Sequence, residues 1–216
     1  MTEHSYVPAA GHDWFLPFYD PIMWLLGFDK ARQALVDQAA LQPHDRVLDV
    51  GCGTGAVSVL VKQAHPGVDV VGLDPDDNAL GRARRRAARA GVSIRFDRGF
   101  AGTLAYPDRS FTRVLSSMMF HHLGSEEKRK MLGEVRRVLA PGGRLEMLDI
   151  GGRAPGAGRS PARLVHSRER LADSAEVRVL ASMAGAGLVD ARVTDRRPFL
   201  LGTLAYYQAA APADRS

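Results

Sequence analysis

Cysteine is nearly absent: Cys52 is the single one in 216 residues. That excludes an internal disulfide and any multi-cysteine zinc or iron-sulfur site, and it suits a reducing compartment. No apolar run reaches the length needed to span a bilayer. The opening MTEHSYVPAA has no basic stretch followed by an apolar core, so no secretory signal is expected and a cytoplasmic location follows. Aromatic residues make up only 7% of the chain, and none interleaves with the arginines of GRARRRAARA at 81–90 to stack a base. The histidine pair His121 and His122 is adjacent rather than at helical ligand spacing and has no carboxylate cluster beside it, so no metal site is expected. No segment repeats at solenoid spacing.

What is present is the composition of an ordinary globular protein, 45% hydrophobic and 25% charged. The length suits one domain with a substantial core and is short for two. A net charge of +5 is concentrated in the arginine run. Arg82, Arg84, Arg85, Arg86 and Arg89 wrap most of a helical circumference, while Leu80, Ala83, Ala87, Ala88 and Ala90 supply a thin apolar side. That pattern describes a solvated helix, so no nucleic-acid partner is expected.

Strand and helix patterns alternate through the middle of the chain. DKARQALVDQAA predicts an amphipathic helix over 29–40. Strands are expected at about 45–50, 68–74, 92–97, 111–119 and 144–150. Helices are expected at 56–64, at the arginine run closed by Gly91, and at 125–140 with Ser125 as N-cap and Glu126 and Glu127 at its positive end. Alternation of this kind implies a parallel sheet with helices on both faces. The pattern then breaks. GGRAPGAGRSP at 151–161 reads as a loop, one or two helices follow to about 186, and VDARVTD and LLGTLAYYQA lie too close together for a helical crossover, so they should pair antiparallel. The organisation expected is one domain over 1–216, with an N-terminal helical lid segment (1–44), a cofactor-binding core (45–150) and a substrate-side loop, helix and hairpin (151–216).

Ligands of an open parallel sheet sit beyond the carboxyl ends of its strands. The rule selects Gly51 to Gly55 in VLDVGCGTG, Asp74, Gly99 to Ala101, and Ser117 to His122. Glycines at 51, 53 and 55 allow a tight turn that a ligand can approach closely. GCGTGA also fits the dinucleotide form G-x-G-x-x-A, so the loop alone leaves a nicotinamide enzyme open. Asp74 lies 23 residues beyond Gly51, where a carboxylate can accept the hydroxyls of a ribose; a turn built with Pro75 is the alternative role. One of His121 and His122 could be a general base, or the pair could pack and hydrogen-bond. The aromatic stretch HDWFLPFYDPIMWLLG at 12–27 is a candidate lid over an apolar substrate, or part of the core.

VLDVGCGTG, VVGLDPD, LAYPDRSFTRVLSSMMFHHL, RVLAPGGRL and the ending LAYYQA together resemble the class I S-adenosylmethionine-dependent methyltransferases over about 45–208, with the quinone and phospholipid enzymes the nearest in pattern. The resemblance implies an α/β fold, a Rossmann-like doubly wound sheet of seven strands, mostly parallel, with an antiparallel C-terminal hairpin. It implies S-adenosyl-L-methionine as cofactor. Gly51, Gly53, Thr54 and Gly55 would approach its methionine part with Asp49 ordering the loop below. Asp74 and Pro75 would lie at the ribose, Phe100 and Ala101 at the adenine, Ser117 beside them, and Tyr19 would close over the methionine end. The position of Phe100 usually carries a polar residue in that family, which leaves ring contact and the Ala101 N–H to hold the adenine. Thr112 stands where many relatives have aspartate.

The activity expected is transfer of a methyl group to a small, apolar acceptor. A cofactor-binding protein without catalysis and a nicotinamide oxidoreductase are the alternatives; the terminal hairpin has no rationale in the second.

Overall fold

A computed structural model describes residues 28–151, 165–199 and 202–214, the first ten of the second stretch by backbone alone. The described elements run α1 (Phe28–Ala39), β1 (Arg46–Val50), α2 (Ala56–Ala64), β2 (Asp69–Asp74), α3 (Asp77–Arg89), β3 (Arg95–Arg98) and β4 (Phe111–Ser117). After a short 3-10 turn at Phe120–His122 come α4 (Ser125–Val138), β5 (Leu139–Ile150), α5 (Val165–Gly185), β6 (Val189–Phe199) and β7 (Gly202–Ala210). The seven strands form one sheet in the order β3-β2-β1-β4-β5-β7-β6. β1 to β5 pair in parallel, and β7 pairs antiparallel with both β5 and β6. This is the Rossmann-like arrangement that the alternating pattern and the terminal hairpin predict.

Successive strand residues point to opposite faces, and the core divides accordingly. Val47, Leu115, Leu148 and Tyr206 turn toward α1 and α2. Their neighbours Leu48, Val114, Met147 and Tyr207 turn toward α4 and α5. All eight are at most 1% exposed, which explains why these strands read as continuous apolar runs rather than as alternating ones. The Tyr206 hydroxyl, buried among them, donates to the Ala31 carbonyl at 3.0 Å and ties β7 to α1.

Several boundaries depart from the sequence expectation for local reasons. Helix α4 is capped by Gly124 rather than Ser125; the Gly124 carbonyl takes the Lys128 N–H, and Ser125 is already helical. The arginine-rich helix begins at Asp77, because the Asp76 side chain accepts the Asn78 N–H as an N-cap. Gly91 at φ +67 closes it with a Schellman pair, Val92 N–H to Ala87 and Gly91 N–H to Ala88. β5 starts at Leu139, not 144, since Leu139 pairs with Phe111 before the Pro-Gly-Gly turn shifts the register. β4 ends at Ser117 because Met118 takes φ +57.

The two sheet edges differ. β3 is only four residues long. β6 is long and exposed but carries Asp190, Arg192, Asp195, Arg196 and Arg197, and it contains Pro198, paired with Thr203. An edge strand tolerates proline, which cannot donate to a central ladder. Among the described residues no helix is long and apolar enough to cross a membrane.

Candidate active site

The carboxyl ends of β1, β2, β4 and β5 meet in one place. Gly51 and Cys52 both donate their N–H groups to the Leu73 carbonyl, at 2.8 and 3.0 Å, so the glycine loop is tied to the end of β2. Gly51 has φ +72, and a Cβ there would lie 2.4 Å from the Met119 Cγ. Its lack of a side chain thus seats the turn after β4 against the loop. Gly53, at φ +51, has nothing within 4 Å of where a Cβ would be. Here the bare backbone faces open space. Gly55 is the N-cap residue of α2, with no side-chain cap of its own.

Two buried carboxylates flank this loop. Asp74 accepts the Gly53 N–H at 2.9 Å on one oxygen and the Asp76 N–H at 2.9 Å on the other. A carboxylate offers about four lone-pair sites, so two remain for ligand hydroxyls. Burial holds its pKa above the ordinary carboxylate value, against the pull of those two N–H groups. Asp49, 1% exposed, does not line the loop. It takes the Ser58 hydroxyl at 2.5 Å and the Ser58 N–H, supplying from the strand the acceptor that the N-cap lacks. Burial pushes its pKa up to about 6, the Ser58 contacts pull it down, and Asp74 adds to the rise.

Of the residues singled out from the sequence, Gly51, Gly53, Thr54, Gly55, Asp74 and Pro75 come together around this loop. Thr54 is buried, and its hydroxyl receives Arg86 at 3.3 Å; the Pro75 carbonyl receives Arg98 at 3.3 Å. Gly99 donates to the Asp74 carbonyl at 3.2 Å, which brings Phe100 and Ala101 beside it. Phe100 is 46% exposed, whereas Ala101 packs against the core. Ser117 is half-buried at the last paired position of β4, opposite Leu148. Tyr19 and the aromatic stretch at 12–27 lie outside the described residues. Cys52 is buried with its thiol pushed well above its ordinary value, which makes it an inert small residue. Thr112 sits at the opposite end of the strands, where it donates to Asp45 at 2.7 Å.

Asp149, at the end of β5, was not legible in the sequence. It is 3% exposed, accepts the His121 amide at 3.0 Å and the Ile150 amide at 2.6 Å, and meets the His121 ring Nδ1 at 2.5 Å. His122 stacks on His121 with ring centroids 4.0 Å apart, and burial together with that neighbour lowers its pKa. Met118, the residue that turns the chain from β4 toward these histidines, has a left-handed backbone uncommon outside glycine. No group of three metal-ligating side chains occurs among the described residues.

The donor set can be tested against the cofactor that the resemblance implies. Free lone pairs on Asp74 suit a vicinal diol, and the bare face of Gly53 suits close approach. The two carboxylates set a negative field, which favours a sulfonium nucleoside over the pyrophosphate of a dinucleotide. The residues fit S-adenosylmethionine.

Comparison with known proteins adds a further observation. Residues 47–143 match the family described as methyltransferase domain. A demethylmenaquinone methyltransferase of Thermus thermophilus is 39% identical over 137 residues, 62% of this chain and 61% of that protein. The chain thus spans about three fifths of that relative. Among solved structures, a SAM-dependent methyltransferase from Aquifex aeolicus superposes with a TM-score of 0.64 at 19% identity, covering 83% of this chain and 89% of that one. The [4+2]-cyclase SpnF superposes equally well, with a TM-score of 0.67 at 20% identity over 86% of this chain and 82% of its own. The fold that this chain shares with them therefore hosts more than one reaction, and the chemistry has to be argued from the site.

Proposed function

We propose that this chain is an S-adenosylmethionine-dependent methyltransferase acting on a small, apolar acceptor. The observation that carries the reading is the glycine loop open at Gly53 with the buried Asp74 carboxylate beneath it. When bound, S-adenosylmethionine supplies a methyl group on a positively charged sulfur. Asp74 would accept the ribose hydroxyls through its two unused lone-pair sites, and Pro75 shapes the turn that follows it. Gly51, Gly53, Thr54 and Gly55 present backbone to the methionine part. Asp49 holds the start of α2 in register so that the loop keeps its shape. The Phe100 ring and the Ala101 N–H would hold the adenine, and Ser117 and Tyr19 would complete the cofactor's contacts. What the protein contributes is alignment and exclusion of water.

An apolar acceptor is supported by two exposed large side chains at the same end of the sheet, Phe100 and Ile150 at 46% and 45%. The name of the Thermus relative supports it too. The buried lone cysteine suits a cytoplasmic setting. A cofactor-binding protein that transfers no methyl group is the second reading, favoured by Phe100 in place of a polar adenine partner and by the cyclase that shares the fold.

Calorimetric titration with S-adenosylmethionine, S-adenosylhomocysteine and NAD in parallel tests the proposal. Saturable binding of the first two and none of NAD is expected. Binding of NAD alone, or of none, would overturn it.

A further inference from the structure

The turn after β3 carries a one-sided set of hydrogen-bonding groups. The Gly99 N–H is held by the Asp74 carbonyl at 3.2 Å, so residues 100–102 stand next to the carboxylate that suits a ribose. The other carboxylates at the ends of β2 and β3 are already engaged. Asp97 receives the Arg95 Nε on one oxygen and the Tyr106 hydroxyl on the other, both at 2.9 Å. Asp76 caps α3 through the Asn78 N–H, and Asp77 pairs with Arg98. The Phe100 carbonyl receives the Thr103 N–H at 3.1 Å, which closes the turn. Two donors are left over: among the described residues, neither the Ala101 N–H nor the Gly102 N–H meets an acceptor.

The turn is held from behind. Arg137 of α4 donates to the Leu104 and Tyr106 carbonyls, both at 2.8 Å, and Glu134 takes the Leu104 N–H at 2.7 Å. Lys130 of the same helix lies against Gly102, 3.2 Å from where a Cβ would be. At the front stands Phe100, 46% exposed and without a polar side-chain atom. The wall therefore offers an apolar ring and two fixed N–H groups, with no carboxylate left to receive the amino group of a base.

Resting on the methyltransferase reading, we propose that Phe100 is the specificity-determining residue of a base subsite that leaves the 6-amino group unread, so that the chain takes 6-oxopurine nucleosides as readily as 6-aminopurine ones. The chemistry follows from the donors. A backbone N–H needs an acceptor, and both bases carry one on that edge, the ring N1 of a 6-aminopurine and the exocyclic O6 of a 6-oxopurine. What tells the two bases apart is an acceptor opposite the 6-position. Such a group gains a hydrogen bond from an amino group and is repelled by a carbonyl oxygen. Phe100 supplies none, and its ring packs on either base alike.

Calorimetric titration with S-adenosylhomocysteine and with S-inosylhomocysteine, its 6-oxo counterpart, tests this. The wild type should bind the two within about threefold of each other, whereas Phe100→Asp should favour the adenosine compound by about tenfold or more, as a site that pairs with the amino group does. Phe100→Leu, apolar and without an acceptor, should keep the wild-type ratio, which separates the missing acceptor from loss of the ring. In amide spectra of the nitrogen-15-labelled wild type, the Ala101 and Gly102 resonances should move downfield with either compound. A wild-type preference for the adenosine compound beyond about tenfold overturns the inference, because an acceptor then reads the amino group. A ratio in Phe100→Asp equal to that of the wild type, or Ala101 and Gly102 resonances that stay in place, overturns it too. Failure of the methyltransferase reading looks different: the wild type then binds neither compound.

Discussion

The ends of β2 and β5 each carry a buried aspartate, and the two are put to different use. Asp74 receives two amides and keeps lone pairs to spare beside open space. Asp149 receives two amides and a histidine ring. The first is an acceptor still available to a ligand; the second has given its direction to a neighbouring side chain. The same residue type at equivalent topological places thus yields a binding group or a positioning group, and the number of N–H donors already aimed at it decides which. Between them Met119 against Gly51 keeps the two ends in contact.

The largest effect expected from breaking this contrast is on stability. Asp149→Ala strands two amides and the His121 ring nitrogen where Asp74→Ala strands two amides, at about 1–3 kcal/mol for each group kept from water. Denaturant unfolding should show a loss of about 4 kcal/mol for the first and about 2 for the second; the reverse order would mean that Asp149 is not the more fully engaged of the two. Gly51→Ala comes next. It forces both a strained backbone and a clash with Met119, and should cost about 2–3 kcal/mol in the same measurement, whereas Gly53→Ala, which meets nothing, should cost about 1 kcal/mol.

Binding should discriminate the two carboxylates in the other direction. Asp74→Asn should weaken S-adenosylhomocysteine about thirtyfold by calorimetry, the loss of charged acceptance for ribose hydroxyls, while Asp149→Asn changes it about threefold or less. Asp49 gives the smallest effect. Its folded pKa of about 6 lies above its unfolded value, so the folded chain holds the extra proton between them. Stability is greatest below the unfolded value and is lost as pH rises through about 6. From pH 8 to pH 5 the wild type should gain on the order of 1 kcal/mol from this group. Asp74 and Glu146, also raised by burial, contribute with the same sign. Thermal melts across that range should therefore show a shallower slope for Asp49→Asn, and an unchanged slope would locate the linkage elsewhere.

Much of the sheet was legible in the sequence because its information is local. α2 falls on 56–64 as expected, since AVSVLVKQA has helical spacing directly after a glycine turn. The antiparallel end of the sheet followed from the short distance between two apolar runs, although Pro198 proved to be inside β6 and not in the connection. The glycine loop and Asp74 were legible for the same reason: their spacing along the chain reports a strand, a turn and a crossover. Asp149 was not. Its partner His121 is 28 residues away, and LEMLDI carries no local mark that its aspartate turns to a histidine on the neighbouring strand end rather than to solvent. The partner of Asp49 was hidden for the same reason: only the packing of α2 shows that its carboxylate takes the Ser58 hydroxyl.

The unlike edges of the sheet bear on how this chain coexists with copies of itself. A row of unpaired backbone N–H and C=O groups is a template for another strand, and long edges are where sheets grow into aggregates. Here one edge is four residues long, and the other is interrupted by Pro198 and lined with charges of both signs. A foreign strand would find little to pair with on β3 and a missing donor on β6. Such a sheet can expose its edges in a crowded solution without extending itself.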